Sequence, residues 1–289
     1  MTRYSKSYKT SQELVDHLKA KGLAIPDEAA AIEFISRIGF DRLRIYFLSR
    51  RNLAGNGKPF SNGVSFNDII DIYMFDMELR MLLFSAVSKA EIIVKSAMAD
   101  VVSMKYGSHP YFQDKLYRDN KSHIEAINIF DSVINQRDND PRWKHYKDHY
   151  GEPHFPPIWT MREFMTFGCV NKIITKLNGS ISDDISDVVI GVRKNSVLIS
   201  WVSCLVDLRN MCAHHDRVFN RFFQKTPSKL RLEANNHIPT NANISRRVSA
   251  LCEVLDHILL KKGEAANIKA ELSRMLARHA AVRAEEVGL

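Results

Sequence analysis

The residues best suited to chemistry lie in the run Arg209-Asn-Met-Cys-Ala-His214, which is followed by His215. A histidine can give or take a proton near neutral pH, and an arginine can bind a phosphate and stabilise the charge that builds up on it. These residue types suit metal-free RNA cleavage through the 2′-hydroxyl. The spacing alone is weak evidence, because Arg-x4-His also occurs at Arg118 to His123 and Arg274 to His279.

The placement of this run on a predicted helix strengthens the case. At about 100° per residue, one narrow stripe is apolar and must be buried, and the opposite face is polar. His215 falls back on the buried edge if the helix continues, which favours a core or capping role. The buried stripe contains Val197, Trp201, Leu205, Leu208 and Cys212, and the polar face contains Asp207, Asn210 and His214.

Arg209 and His214 are about 140° apart on an ideal helix. To act together they need either a helix that ends near Ala213 or a symmetric partner that supplies the facing copy. A twofold homodimer would bring two arginines and two histidines into one cleft. The alternative is that the polar face is a solvated stripe and that Arg209 forms a salt bridge.

A second candidate is a metal site in the polar segment Asn135 to Pro157. His145 and His149 have the spacing that places two imidazoles on one helical face, and His154 follows. The segment is rich in loop formers, so the pattern favours a surface loop or lid over a metal site. The sequence has neither GxGxxG, GxxxxGK[ST] nor GxSxG, so we expect no nucleotide cofactor and no hydrolase elbow.

Two basic segments could contact nucleic acid. In FDRLRIYFLSRRNLAGNGKPF, beginning at Phe40, cations alternate with aromatic rings, as in surfaces that bind phosphates and stack bases. The pattern slightly favours the alternative that Phe40, Leu43, Tyr46 and Phe47 are core residues and that the arginine stems cover them. The candidate contacts are Arg42, Arg44, Arg50 and Arg51 in this segment, and Arg217, Asn220 and Arg221 in the second.

Hydrophobic periodicity predicts an all-α fold, with no alternating run long enough to indicate a sheet. Ser65 caps the longest predicted helix, which extends to about Lys105. The predicted helices then include Trp159 to Leu177 and one from Asn195 to about His214. The chain from Asp216 to Asn243 is expected to be irregular, and helices of about Ile244 to Lys262 and Glu264 to Arg283 follow.

Composition sets the broad class. The 289 residues are 45% hydrophobic, enough for a large core, and 41 Lys and Arg against 33 Asp and Glu give a net charge of +8, compatible with a polyanionic partner. Charged residues interrupt the apolar run Phe66 to Val102, so we expect no membrane span. The N-terminus shows no secretion signal and the four cysteines form no CxxC, so we expect a cytoplasmic protein with reduced thiols.

The run SWVSCLVDLRNMCAHHDRVFNR, from Ser200 to Arg221, resembles the signature RN-x-CAHH-x-R-x-x-N of the Abi family of abortive-infection proteins, the AbiD and AbiF-like group. Further similar blocks are YKTSQELVDHLKAKGLAI, AIEFISRIGFDRLRIYF, FNDIIDIYMFDMELRMLLFSAVSKAEIIVKS and PPIWTMREFMTFGCVNKII. The resemblance covers about Tyr8 to Lys262. It predicts a domain over 1–262. The charged residues of the last predicted helix indicate a solvated or partner-facing helical appendage over 263–289.

The resemblance implies membership of the HEPN superfamily, whose helical bundles form metal-independent ribonuclease sites across a dimer. Carried over to this chain, Arg209 would bind the scissile phosphate, Asn210 would orient it and His214 would transfer protons. The resemblance also implies association with RNA, including a structured non-coding RNA. A non-catalytic module that binds RNA or a partner protein is the alternative, since many members of the superfamily lack turnover.

Overall fold

The periodic apolar pattern folds into helices along almost the whole chain. A computed structural model describes residues 3, 5, 7–233, 236–240 and 246–289. Helices account for 62% of the structure, and the described residues add a single two-stranded sheet. The predicted all-α class is therefore confirmed. The chain divides into two compact units, one of Met1–Leu79 with Ser273–Glu286 and the other of Arg80–Leu272 with Val287–Leu289.

The first unit begins with three short helices whose ends are set by local chemistry. Thr10 and Glu13 form a capping box at the start of the first helix, and Asp27 caps the second. Gly39, at φ 87°, ends the second helix and leads directly into the third, because only glycine adopts this backbone conformation without strain. The helices are α1 (Ser11–Lys19), α2 (Glu28–Ile38) and α3 (Phe40–Leu48).

The interior of the first unit contains the apolar residues that were predicted as core. Leu43, Tyr46 and Phe47 are buried, and Phe40 is half-buried. The Tyr46 hydroxyl donates a hydrogen bond of 2.5 Å to the buried Asp76 carboxylate. The alternation of cations and rings in this segment is therefore largely that of an amphipathic helix with a buried aromatic face.

The C-terminal residues of the first unit are anchored by charged groups. His279 is buried, and its Nδ1 lies 2.7 Å from Asp71 Oδ1. Glu286 is also buried and forms an ion pair with Arg50. These side chains, which the sequence pattern placed on a solvated or partner-facing segment, instead contribute to the interior of this unit.

The long helix α4 (Phe66–Tyr106) begins in the first unit and continues into the second, close to its predicted bounds. Ser65 and Asp68 form reciprocal hydrogen bonds at its start. The second unit then continues with α5 (Asn120–Asn135), α6 (Pro141–His149), α7 (Ile158–Phe164), α8 (Phe167–Ile174), α9 (Gly179–Ile190), α10 (Asn195–Ala213) and α11 (Val248–Lys261). Helix α12 (Ile268–Arg278) begins in the second unit and ends in the first, and α13 (Ala284–Val287) lies in the first unit except for its last residue.

Three segments of the second unit differ from the prediction. The helix predicted from Trp159 to Leu177 is two helices, because Thr166 caps α8 by accepting a hydrogen bond from the Cys169 amide. The predicted loop after Asn135 contains α6, which Asp140 and Pro141 initiate. These residues are ordinary helix-start signals, but the polar composition of the segment led to the prediction of a loop.

The third difference is a short hairpin in the segment that was predicted to be irregular. Strands β1 (Leu230–Glu233) and β2 (Asn236–Ile238) pair antiparallel, with Leu230 opposite Ile238 and Arg231 opposite His237. Strands this short give too little alternation to be recognised in a sequence. The predicted start of the next helix, near Ile244, lies outside the described residues.

Helix α10 buries its apolar face in the core of the second unit. Trp201, Leu205 and Leu208 are fully buried, and the helix packs against α8, α9 and α11. The Trp201 indole donates a hydrogen bond of 2.7 Å to the Ser228 carbonyl, which satisfies its polar atom inside the core. Among the described residues, α10 is the one helix with the length and composition to span a membrane, and half of its apolar window is buried inside the unit.

Candidate functional site

The candidate catalytic run ends α10 in a Schellman motif. Ala213 is the last helical residue and His214 is the C-cap. The Asp216 amide donates to the Met211 carbonyl at 2.8 Å, and the His215 amide donates to the Cys212 carbonyl at 3.2 Å. His215 takes the left-handed conformation, with φ 59°, at the position where glycine is usual.

This helix end decides between the two roles predicted for His215, because the residue is part of the helix cap and not of the core. The residue is exposed rather than on a buried edge, because the chain leaves the helix axis before the helical pattern could turn it inward. The prediction that the helix could end near Ala213 is confirmed. The sequence could not predict the positive φ of His215. The local pattern of residues is compatible both with a helix that continues and with one that ends at this point.

Asn210 and His214 lie together in a surface recess of about 350 Å³, which we call the α10 recess. Both side chains are exposed, and the same recess is lined by Arg221, Phe222 and Lys225. Within the described part of the chain, the His214 imidazole makes no hydrogen bond, so its ring nitrogens face solvent. The geometry therefore brings together an imidazole, an amide, two cations and the carboxylates of Asp207 and Asp216.

Arg209 points to a different neighbour. Its Nε lies 3.6 Å from Glu91 Oε2 on α4, and its Nη1 lies 3.5 Å from Asn210 Oδ1, at the limit of a hydrogen bond. Arg209 is not among the residues that line the α10 recess. One chain thus unites two of the three predicted catalytic residues, and the salt-bridge alternative considered for Arg209 describes its contact in this chain.

The predicted basic contacts of the second unit lie beside the recess. Arg217, Asn220 and Arg221 are half-buried. Arg221 donates a hydrogen bond of 3.3 Å to the Arg217 carbonyl, and Asn220 accepts one of 2.8 Å from Arg247. Arg221 is the member of this group that reaches the recess itself.

The basic residues of the first unit divide into two sets. Arg42, Arg44 and Arg51 line an open groove of about 1000 Å³, which we call the basic groove. Arg50 does not contribute, because its guanidinium is buried and bound to both Glu286 oxygens at 2.5 and 2.9 Å. The predicted role of Arg50 in binding nucleic acid is therefore corrected to a structural one.

Sequence reasoning missed two members of the basic groove. Lys9 and His17 line it together with the arginines. Burial, followed by the charges of Lys9, Lys21 and Arg51, lowers the pKa of His17 below its ordinary value. Burial and then Arg44 lower the pKa of Arg51. Burial is the larger cause of both pKa shifts, and repulsion among cations, which an anion in the groove would relieve, adds to it.

The recess also contains residues that the sequence did not single out. Phe222 is exposed, and Lys225 lies 2.9 Å from Asp207 across the recess edge. The high density of basic residues in this segment was the sequence feature that pointed to Lys225 as a possible anion contact. An exposed aromatic residue in an irregular segment gives no signal that separates it from a core residue.

The three histidines of the alternative metal site do not converge. The rings of His145 and His149 are 4.1 Å apart, whereas His154 Nε2 lies 3.2 Å from Asp131. No cluster of three or more His, Cys, Asp or Glu side chains with metal-binding geometry occurs in the described ranges. None of the four cysteines, all of which are described, forms a disulfide, and Cys204, Cys212 and Cys252 are buried.

Comparison with known proteins adds an independent observation. The family model of Abi-like proteins matches residues 33–220, which is more than half of the chain. The chain belongs to the Abi-like protein family. Membership indicates a role in abortive infection, a form of antiphage defence. No curated protein and no solved structure gave a significant match.

The family match covers the candidate site of this Abi-like protein unevenly. It includes α3, α4 and the whole of α10 with His214. It ends at Asn220, one residue before Arg221 and two before Phe222. The helix that presents His214 thus belongs to the matched region, whereas part of the recess wall lies beyond it.

Proposed function

We propose that this Abi-like protein, of the AbiD and AbiF-like group, is a metal-independent endoribonuclease of the HEPN type that acts on RNA in the cytoplasm. The observation that carries the proposal is the exposed pair Asn210 and His214 at the capped end of α10, with Arg221 and Lys225 lining the same recess. An imidazole beside cationic groups suits phosphodiester cleavage, because one group moves the proton while the others stabilise charge on phosphorus.

The chemistry follows from these groups. The 2′-hydroxyl loses its proton to a base and attacks the adjacent phosphorus, and the bond to the 5′-oxygen breaks. That oxygen takes up a proton and leaves as a hydroxyl. The products are a 2′,3′-cyclic phosphate and a 5′-hydroxyl end, with no change in oxidation state and no co-reactant. His214 would serve in proton transfer, Asn210 would orient the phosphate and Arg221 would bind it.

Arg209 takes part in this proposal through a homodimer. In one chain Arg209 faces Glu91 rather than the recess. A twofold partner that places two α10 ends side by side would supply Arg209 to the facing recess, as an isologous interface does. The proposal requires no cofactor, because acid–base catalysis and charge stabilisation both come from side chains.

RNA binding would extend to the basic groove. Arg42 and Arg44 are exposed there, and Lys9, His17 and Arg51 add positive charge. Cations spaced along an open groove suit a phosphate backbone, which they would hold with strong salt dependence. Arg217 and Asn220 would support the RNA beside the α10 recess.

The second candidate function is that of a non-catalytic protein that holds a structured non-coding RNA or binds a partner protein. The observation that favours it is the ion pair of Arg209 with Glu91, which occupies the residue expected to bind the scissile phosphate. In that case Arg209 stabilises the helix packing and His214 only contacts phosphate. RNA would then be bound and remain intact.

The deciding experiment is a denaturing gel of total and co-purified RNA after incubation with the full-length protein in EDTA. Wild type is compared with His214→Ala and Arg209→Ala, with His149→Ala as the control for loss of an exposed histidine elsewhere. Cleavage that leaves 2′,3′-cyclic phosphate ends, and that the first two substitutions alone abolish, supports the nuclease. Bound, intact RNA in all four samples, taken from phage-infected cells so that any trigger is present, supports the binding protein.

A further inference from the structure

We infer that the α10 recess contains a subsite for one unpaired nucleobase, formed by the ring of Phe222. This inference deepens the proposed function and rests on it for the identity of the polymer. It names single-stranded RNA, or an unpaired loop nucleotide, as the substrate class. The carrying observation is the juxtaposition of an exposed aromatic ring with His214 in one recess.

The Phe222 ring is exposed in an unusual way. It retains 64% of its accessible surface, and the Arg247 guanidinium carbon lies 3.7 Å from the ring centroid. A cation at this distance covers one face of the ring. The exposed surface is therefore mainly the opposite face and the edge, which leaves one aromatic face open for stacking.

The segment that carries the ring is held in place. Phe223 is buried, its amide donates a hydrogen bond of 2.9 Å to the Arg246 carbonyl, and Arg246 Nε donates to the Phe223 carbonyl at 3.3 Å. On the other side, Asn220 accepts a hydrogen bond from Arg247. The contacts of Arg246 thus fix the backbone beside Phe222, and the Asn220 hydrogen bond fixes the cation behind its ring, so the open face is preorganised.

The surroundings suit a nucleotide rather than an apolar ligand. Arg221 and Lys225 lie close to Phe222 in sequence and line the same recess, where Arg221 can contact phosphate directly and Lys225 can do so by exchanging its partner Asp207. His214 and Asn210 lie on the opposing helix end. A base stacked on Phe222 would therefore place its own backbone phosphate among these cations and near the imidazole.

The size of the recess and the chemistry of stacking select an unpaired base. A volume of about 350 Å³ is at the lower end of small-molecule sites, so the recess itself accommodates one small group. In a duplex the base faces are already stacked on neighbouring pairs, whereas an unpaired base can be turned out onto an aromatic ring. Stacking on one ring discriminates weakly among the four bases, so the subsite selects strand state more than sequence.

The test measures binding and stacking without turnover. Full-length protein carrying His214→Ala is titrated with a short single-stranded RNA that contains 2-aminopurine, whose fluorescence is quenched on stacking, and with the same RNA in a duplex. Adding Phe222→Ala should remove the quenching and weaken single-strand binding by about 5- to 100-fold, the range for one stacked base. Duplex binding should change little.

Three further variants make the test specific. Phe222→Trp should restore quenching and affinity, because it keeps an aromatic face. Phe222→Leu should not, because it keeps apolar volume without a π-system. Phe112→Ala is the matched control, since Phe112 is 63% exposed in the same unit and does not line the recess, and it should leave binding unchanged.

Failure of the subsite is distinguishable from failure of the nuclease. If Phe222→Ala or Phe222→Leu quenches and binds like the parent protein, the base subsite is overturned whether or not wild type cleaves RNA. If no single-stranded RNA binds, it is overturned as well. If quenching depends on Phe222 while wild-type protein leaves RNA intact in EDTA, the subsite stands and the binding-protein function replaces the nuclease.

Discussion

The Arg209 guanidinium and the Glu91 carboxylate face each other between α10 and α4, with Nε 3.6 Å from Oε2. Glu91 also forms an ion pair with Lys95, one helical turn along α4, with Oε1 2.7 Å from Nζ. The Glu91 side chain is 12% exposed, so this carboxylate serves two cations at the edge of the core. This contact gives Arg209 a structural role. A test of a catalytic role for Arg209 must therefore separate the two roles.

Substitution of Glu91 separates the two roles. We expect Glu91→Gln to lower the free energy of unfolding by about 1 to 2 kcal/mol, because Arg209 and Lys95 lose their anion. We expect the same variant to keep RNA cleavage, since Arg209 remains present and is no longer held by α4. Urea unfolding and the EDTA cleavage assay measure the two effects.

The matched variant is Arg209→Gln, alone and combined with Glu91→Gln. A double-mutant cycle gives the coupling free energy of the pair. Cleavage should be lost in both variants that lack Arg209. Equal loss of cleavage in Glu91→Gln would show that Arg209 acts by holding the helices and not on phosphate.

The two adjacent histidines should behave differently. His214→Ala should abolish cleavage and leave the unfolding free energy within about 0.5 kcal/mol of wild type, because the side chain is exposed. His215→Gly should keep cleavage, because glycine adopts the positive φ that His215 has at the helix end. Cleavage rates and circular-dichroism melts of both variants test this.

The strained position offers its own control. His215→Val places a β-branched residue at φ 59° and should lower the unfolding free energy by about 1 to 2 kcal/mol. If His215→Gly abolishes cleavage as fully as His214→Ala, the assignment of proton transfer to His214 is wrong.

The buried stripe of α10 was predictable because a 3.6-residue period fixes which face a helix buries. Trp201, Leu205 and Leu208 are buried as that period requires. The left-handed conformation of His215 was not predictable from its residue type. It results from the hydrogen bonds that the Asp216 and His215 amides donate back to the helix. The ion pair of Arg209 with Glu91 likewise depends on where α4 passes relative to α10, and no local sequence pattern predicts that.

Arg50 illustrates the same limit. Beside Arg51 in a basic segment, it is indistinguishable from a surface cation by composition. Its partner, Glu286, is 236 positions away in the chain. A long-range ion pair of this kind converts a predicted RNA contact into a structural residue, whereas Arg42 and Arg44 remain exposed as the amphipathic pattern of α3 requires.

The buried pair gives a sharp stability prediction. The side chains of Arg50 and Glu286 are 4% and 7% exposed. We expect Arg50→Ala to lower the free energy of unfolding by about 3 to 5 kcal/mol, because it leaves the Glu286 carboxylate buried without its counter-charge. Glu286→Gln in the Arg50→Ala background should recover part of the loss. A loss below about 1 kcal/mol, measured by chemical denaturation, would contradict the buried pair.

The exposed arginines of α3 should have the opposite profile. Arg42→Ala and Arg44→Ala should leave the unfolding midpoint almost unchanged and weaken RNA binding. Each substitution should reduce the slope of log affinity against log salt concentration by about one, the value for one lost phosphate contact. The slope is obtained from anisotropy titrations at several salt concentrations. An Arg37→Ala variant is the control, because Arg37 is exposed on α2 and does not line the basic groove.

His17 should make the stability of the protein depend on pH. Burial and the neighbouring cations lower the pKa of His17 in the folded chain below the ordinary value of 6.5. The unfolded chain therefore takes up the proton first as the pH falls. The stability that neutral His17 preserves is complete above pH 6.5 and is lost as the pH falls through that value toward the lowered pKa.

Replacing the histidine removes this dependence. His17→Gln should flatten the slope of unfolding free energy against pH just below the ordinary histidine pKa of 6.5. Because a bound phosphate favours the protonated imidazole, RNA in the basic groove should also raise the pKa of His17 and bind more tightly at lower pH. An RNA affinity whose pH dependence is the same in wild type and His17→Gln would place the RNA outside this groove.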